Sequence, residues 1–161
     1  MASVVEICNM ALSRIGNSQR IDSLTERSVQ AEQCALFYEQ TRDMVLRDRQ
    51  WPFATKFVQL AAVTDNPSPV SAFCYSMPTD CLFARRIVDG IMEAPYVGAW
   101  ANEYFSLPQR PGIPFRIIQG DSTRLIATSA SPAMLEYTAR IEDPGLFDPM
   151  FVSALAWKLG V

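Results

Sequence analysis

The stretch Trp51-Pro52-Phe53-Ala54 divides the chain into two kinds of sequence. Before it, apolar residues recur at helical spacing. After it, β-branched and aromatic residues alternate with polar ones between closely spaced Pro and Gly. An indole, a residue that cannot continue a helix and a second ring stand together, a combination that ends a helix and anchors its end in a core. The chain therefore reads as a helical part interrupted by a β-rich one, an α+β fold.

Ser3 with Glu6 forms a capping-box pattern. Val4, Ile7, Cys8, Ala11, Leu12 and Ile15 then share one helix face, and Gly16-Asn17 supplies a left-handed stop, so the first helix is expected over Val4 to Ile15. Asn17 to Arg27 reads as a loop, with Ile21 and Leu24 placed to tuck it down. From Ser28 the helical period resumes through Ala31, Cys34, Ala35, Tyr38, Val45 and Leu46, predicting a second helix to about Gln50. At 1.5 Å per residue it would be roughly 34 Å long, the spine of the fold.

Past Ala54, strands are expected at Lys56 to Ala61, Ala72 to Ser76 and Leu82 to Val88, where the pair Arg85-Arg86 is awkward for a buried position. Residues 89–112 are broken by Pro95, Gly98, Pro108, Pro111 and Gly112, yet hold Tyr96, Trp100, Tyr104, Phe105 and Leu107. Those rings suit either satellite core under a long loop or an interface anchor. Phe115 to Gln119, Arg124 to Thr128 and Ala133 to Arg140 predict three strands in meander order. In the last, Met134, Glu136, Thr138 and Arg140 alternate with Leu135, Tyr137, Ala139 and Ile141, which predicts one wet face and one apolar face. Asp148-Pro149 places an N-cap acid before a proline suited to the first helical position, opening a last helix. Its apolar face is still running at Val161, which fits a cut C-terminus or a helix that depends on a neighbour. The resulting division is a helical bundle at 1–54 and 144–161, with an inserted antiparallel β domain at 55–143.

Several chemistries lack their residues. The 161 residues include no histidine, which removes the commonest general base and the Ser-His and Cys-His pairs. Cys8, Cys34, Cys74 and Cys81 contain no CxxC pair, and the gap from Cys74 to Cys81 exceeds zinc-ligand spacing, so no metal site is expected; Cys8 and Cys34 read as core. With no GxGxxG or GxxxxGK[ST], no nucleotide cofactor is expected either. A net charge of −3 argues against a protein that grips nucleic acid through its phosphates. The start lacks a basic, apolar leader, and no apolar run approaches the ~20 residues of a membrane span, so the cysteines are expected in a reducing compartment and no membrane anchor is expected. Asp143 and Asp148 read as turn and cap, and Glu136 and Glu142 as strand-end residues. Arg42, Arg47 and Arg49, amid Asp43 and Asp48, read as a solvated mixed-charge face or a charged subunit boundary.

Five stretches taken in order carry a family resemblance. They are Ile7-Cys8-Asn9-Met10-Ala11-Leu12-Ser13-Arg14-Ile15-Gly16; Ile21-Asp22-Ser23-Leu24 into Arg42-Asp43-Met44-Val45-Leu46; Trp51-Pro52-Phe53-Ala54; Tyr75-Ser76-Met77-Pro78-Thr79-Asp80-Cys81-Leu82; and Leu135-Glu136-Tyr137 through Asp143-Pro144-Gly145-Leu146-Phe147-Asp148-Pro149 to Ala154-Leu155-Ala156. In their order and spacing the chain resembles the head-to-tail adaptor family of short-tailed bacteriophages, the tail tubular protein A or gp11-like connectors. The resemblance implies a non-enzymatic virion protein, assembled in the host cytoplasm as a homo-oligomeric ring, usually of twelve subunits. That ring sits between the portal protein and the tail nozzle protein, with DNA as passing cargo. On that reading Arg42, Arg47, Arg49, Tyr96, Trp100, Tyr104 and Phe105 are the expected interface, and Trp51, Pro52 and Phe53 form the domain junction. Rival expectations are another assembly part, such as a tail terminator or scaffold, and a small enzyme using Asp80 or Asp143.

Overall fold

The computed structural model describes residues 2–64, 66–89, 112–121 and 123–160. Among them are three α-helices and six strands in two antiparallel three-stranded sheets, an α+β fold. The chain divides into two compact units, one of residues 1–55 and 138–161, the other of residues 56–137. Residues 138–143, set in the β-rich insertion by the sequence pattern, thus group with the helices.

In the first unit, α1 (Val4–Arg14) begins with the full capping box: Glu6 N–H donates to Ser3 Oγ at 3.2 Å, and Ser3 N–H to the Glu6 carboxylate at 2.7 Å. It ends in a Schellman motif, with Asn17 N–H donating to the Leu12 carbonyl and Gly16 N–H to that of Ser13. Gly16 has φ +80°, a conformation in which a Cβ would be strained. The connection to α2 (Val29–Asp48) is tied by Asn9, whose side-chain amide both accepts from Ile21 N–H and donates to the Ile21 carbonyl, each at 2.9 Å. That clasp holds Ile21 in the core, where it is fully buried. Ser28 caps α2, and the helix ends where Arg49 turns extended, just ahead of the 3-10 turn Pro52–Ala54. A further 3-10 turn at Pro144–Leu146 leads into α3 (Pro149–Leu159), whose cap is the Asp148 carboxylate accepting from Met150 N–H at 2.7 Å. α3 packs against both α1 and α2.

The strands are β1 (Thr55–Gln59), β2 (Phe73–Ser76), β3 (Cys81–Asp89), β4 (Phe115–Gln119), β5 (Arg124–Thr128) and β6 (Ala133–Ala139). β4 and β5 form the expected hairpin, with Phe115 opposite Thr128 and Gln119 opposite Arg124. The expected meander stops there. β5 takes β2 as its second neighbour, giving the order β2-β5-β4, while β6 crosses to the other sheet and lies between β1 and β3.

That placement also overturns the expected wet face of β6. Every residue of β6 is buried except Met134, which is half-buried. β6 has a neighbour on each edge and buried residues on both faces, so its polar residues must find protein partners. Glu136 does so by pairing with Arg86 of β3, which also accounts for one of the two awkward arginines. The other, Arg85, stacks its guanidinium 4.6 Å from the Phe83 ring centroid.

Candidate assembly faces and polar clusters

The side chains around Trp51 form one cluster of four rings within the helical unit. Trp51 meets Phe151 edge-on at 5.1 Å, and Phe53 lies 5.1 Å from Phe151 and 5.9 Å from Phe147; Phe147 and Phe151 are 4.8 Å apart. The indole N–H donates to the Val45 carbonyl at 2.9 Å, satisfying the one polar atom that burial would orphan. This fastens the last turn of α2 to the segment that leaves it. Pro52 opens the 3-10 turn. Phe151 lies on α3 and Phe147 just after the turn that precedes it, so the cluster joins stretches some hundred residues apart.

Of the arginines expected at a surface, Arg42 is buried. Its guanidinium donates from Nε and Nη2 to one carboxylate oxygen of Asp43, at 3.0 and 2.9 Å. The other oxygen of Asp43 accepts from Arg140 at 2.9 Å. Arg42 is thus an internal brace, and it leaves the set of candidate interface residues. Burial was legible to the extent that Arg42 follows Tyr38 by four positions and precedes Val45 by three. Arg49 lies over the Trp51 ring at 4.8 Å, an exposed cation covering a buried indole. Arg47 is exposed on α2. Tyr96, Trp100, Tyr104 and Phe105 lie outside the described residues.

Exposed apolar side chains occupy several places on the helical unit, Leu146 and Met150 around the start of α3 among them; two others are larger. The first is the outward side of α2, where Val29, Leu36, Phe37 and Met44 are exposed, interleaved with the uncharged Gln33 and Gln40. At three- and four-residue steps these six form one stripe along a helix about 30 Å long. The helix is therefore apolar on two sides, one turned to the core through Ala31, Cys34, Tyr38, Val45 and Leu46 and one turned to solvent. Exposed Glu32 and Glu39 run along the stripe. Sequence periodicity located the inner side; the outer one was visible as the apolar residues left over from it.

The second place is where α1 and α3 end together. Trp157 is 59% exposed and Ile15 58% exposed, so large apolar groups stand in water there. Arg14 organises the spot: its guanidinium donates to the Ser153 carbonyl at 2.7 Å and to the Ser153 hydroxyl at 3.1 Å, and it lies 4.5 Å from the Trp157 ring centroid. Lys158 is exposed beside it, and Arg20 joins Arg14 in lining an adjoining open cleft of about 550 Å³ with Glu6 and Asn9. Trp157 was missed by sequence reading because it lies off the apolar face of α3.

In the sheet unit, polar groups converge at Asp80. Its carboxylate accepts from the Lys56 ammonium at 2.8 Å and from the Tyr137 hydroxyl at 3.0 Å, linking β1, the turn before β3, and β6. Partial burial acts to raise the Asp80 pKa, but the hydrogen bonds from Lys56 and Tyr137 outweigh it and hold the group below its ordinary value. Burial, then the neighbouring carboxylate, pushes the Tyr137 phenol up to about 12. The carboxylate of Asp143 accepts from Gly145 N–H at 2.8 Å and shapes the turn before α3. Both acids named for an enzymatic rival thus have local structural partners. The four cysteines are buried free thiols, and no cluster of three or more potential metal ligands occurs among the described residues.

No protein-family model matches this chain, and neither does any curated protein.

Proposed function

We propose that this chain is a structural virion protein, a head-to-tail adaptor that assembles as a ring, of about twelve subunits on the family resemblance, between a portal and a tail nozzle. The observation that supports the reading is that the helical unit carries dissimilar exposed apolar places, the α2 stripe and the Ile15–Trp157 surface among them. A head-to-tail ring requires two different surfaces on each subunit, because each copy presents one to the neighbour before it and the other to the neighbour after it. The ordered sequence resemblance to phage adaptors supports the same reading. The slight negative charge suits a conduit through which DNA must pass without being held, since tight backbone binding would need a surplus of Lys and Arg.

The test is to find the protein in purified mature virions by mass spectrometry and to locate it by cryo-electron microscopy. A ring at the junction of head and tail is the expected result. Mature particles that lack the protein would instead favour a transient scaffold, which could use the same exposed faces during assembly.

A further inference from the structure

We infer that the subunit contact is made by the outward stripe of α2 in one copy against the Ile15–Trp157 knob of the next. This rests on the ring reading above and names its two halves. The stripe offers Val29, Leu36, Phe37 and Met44 on a line that is uncharged as far as Met44 and reaches the exposed Arg47 one turn later, and its exposed flank carries Glu32 and Glu39. The knob offers one large indole and Ile15, with Arg14 and Lys158 at its edge. Apolar surface meets apolar surface, and an acidic flank meets a basic one. Two copies of the knob would instead bring Arg14 and Lys158 against their own kind, which disfavours a two-fold contact there and favours a head-to-tail one.

The knob also has the composition of a binding anchor. Tryptophan and arginine are enriched where interfaces concentrate their energy, and the Arg14 bonds to Ser153 hold the guanidinium in place over the indole before any partner arrives. The stripe suits such a knob because its glutamines and methionine adapt around an inserted ring. Glu6 shares the cleft of Arg14 and Arg20, with its carboxylate accepting from Ser3 N–H.

The test uses the full chain with one added surface cysteine at a time, Leu36→Cys or Lys158→Cys, joined by a short bis-maleimide; the four native thiols are buried and do not compete. Cross-linked dimers should form when the two variants are mixed and not when either is treated alone. Self-linking of Leu36→Cys, or mixed linking no greater than for a cysteine placed at Gln59, overturns the inference. Sedimentation velocity gives a second reading. Leu36→Asp should abolish self-association. Lys158→Glu should weaken it roughly two- to fivefold, the range of an exposed ion pair, and Glu32→Lys with Glu39→Lys should restore it in the Lys158→Glu chain. Rings that still form with Leu36→Asp overturn this choice of faces and leave the ring reading standing. A native chain that stays monomeric in solution and forms no ring in virions overturns both.

Discussion

The helical unit and the sheet unit bury different things. Around Trp51 the helical unit packs four aromatic rings, and the only polar atom the indole brings, its N–H, has the Val45 carbonyl as partner. In the sheet unit, β6 runs through the middle of its sheet carrying Glu136 and Tyr137, whose polar ends reach Arg86 and Asp80. The ring cluster is held by shape, so it should fail by leaving cavities, although the same unit also buries Arg42, paired with Asp43. The core around β6 is held by pairing, so it should fail by leaving polar groups alone. The contrast predicts which substitutions hurt, and by what route.

The largest effects should come from the rings. Phe151→Ala and Trp51→Ala should each cost about 3 to 5 kcal/mol, read from the midpoint of a urea titration, because both side chains are buried among aromatic neighbours that cannot collapse into the gap. A loss under about 1 kcal/mol for Trp51→Ala would remove the cluster from the centre of that core. Next comes Glu136→Ala, expected to cost about 3 kcal/mol. This is the lower end for a broken buried pair, because Arg86 keeps 28% of its side-chain surface in water. Replacing both partners, Glu136→Leu with Arg86→Met, should recover most of that loss if isolation of the charge is the cause. A double variant no better than Glu136→Ala would break the distinction between the two cores.

Alkaline pH should act more gently. Tyr137 keeps its proton in the folded chain up to about pH 12, while the unfolded phenol loses it near 10. The folded state therefore binds more protons in that window, and the stability this group contributes, present below pH 10, declines as pH rises toward 12. Tyr38, pushed up to about 12 chiefly by burial, acts in the same direction. Stability measured at steps across that window should fall less in Tyr137→Phe than in the native chain. The smallest effect should be Tyr38→Phe. Its buried hydroxyl has no hydrogen-bond partner, so removing it should leave stability unchanged or raise it by about 1 kcal/mol. A clear loss would show that the hydroxyl is satisfied and adds to the pairing that Arg42 and Asp43 bring to the helical unit.

Local rules carry much of this fold. The Ser3 and Glu6 capping box, the Gly16 stop, the Asp148-Pro149 start and the β4–β5 hairpin all depend on contacts within a few residues, so the residue types there were enough to place them. The errors fall where distant partners decide. Met134, Glu136, Thr138 and Arg140 alternate with apolar neighbours like the wet side of an edge strand, yet β6 is central, because Arg86 lies fifty positions away and makes burial of Glu136 tolerable. Arg42 reads as a surface cation until Asp43, shared with Arg140, is seen to hold it inside. In the same way, helical spacing showed that α2 has an apolar side for the core but left Val29, Leu36, Phe37 and Met44 unexplained.

The sequence by itself determined where the helices begin, to within one or two residues where the first two end, where the hairpin turns, and that Trp51-Pro52-Phe53-Ala54 closes the long helix. Those outcomes follow from backbone geometry and nearest-neighbour hydrogen bonds. Only the tertiary structure decided which strand lies in the middle, which charges go inside, and which apolar residues remain in water. The reason is that burial is a property of what covers a side chain, and what covers Glu136, Arg42 and Trp157 comes from parts of the chain that spacing alone does not bring together.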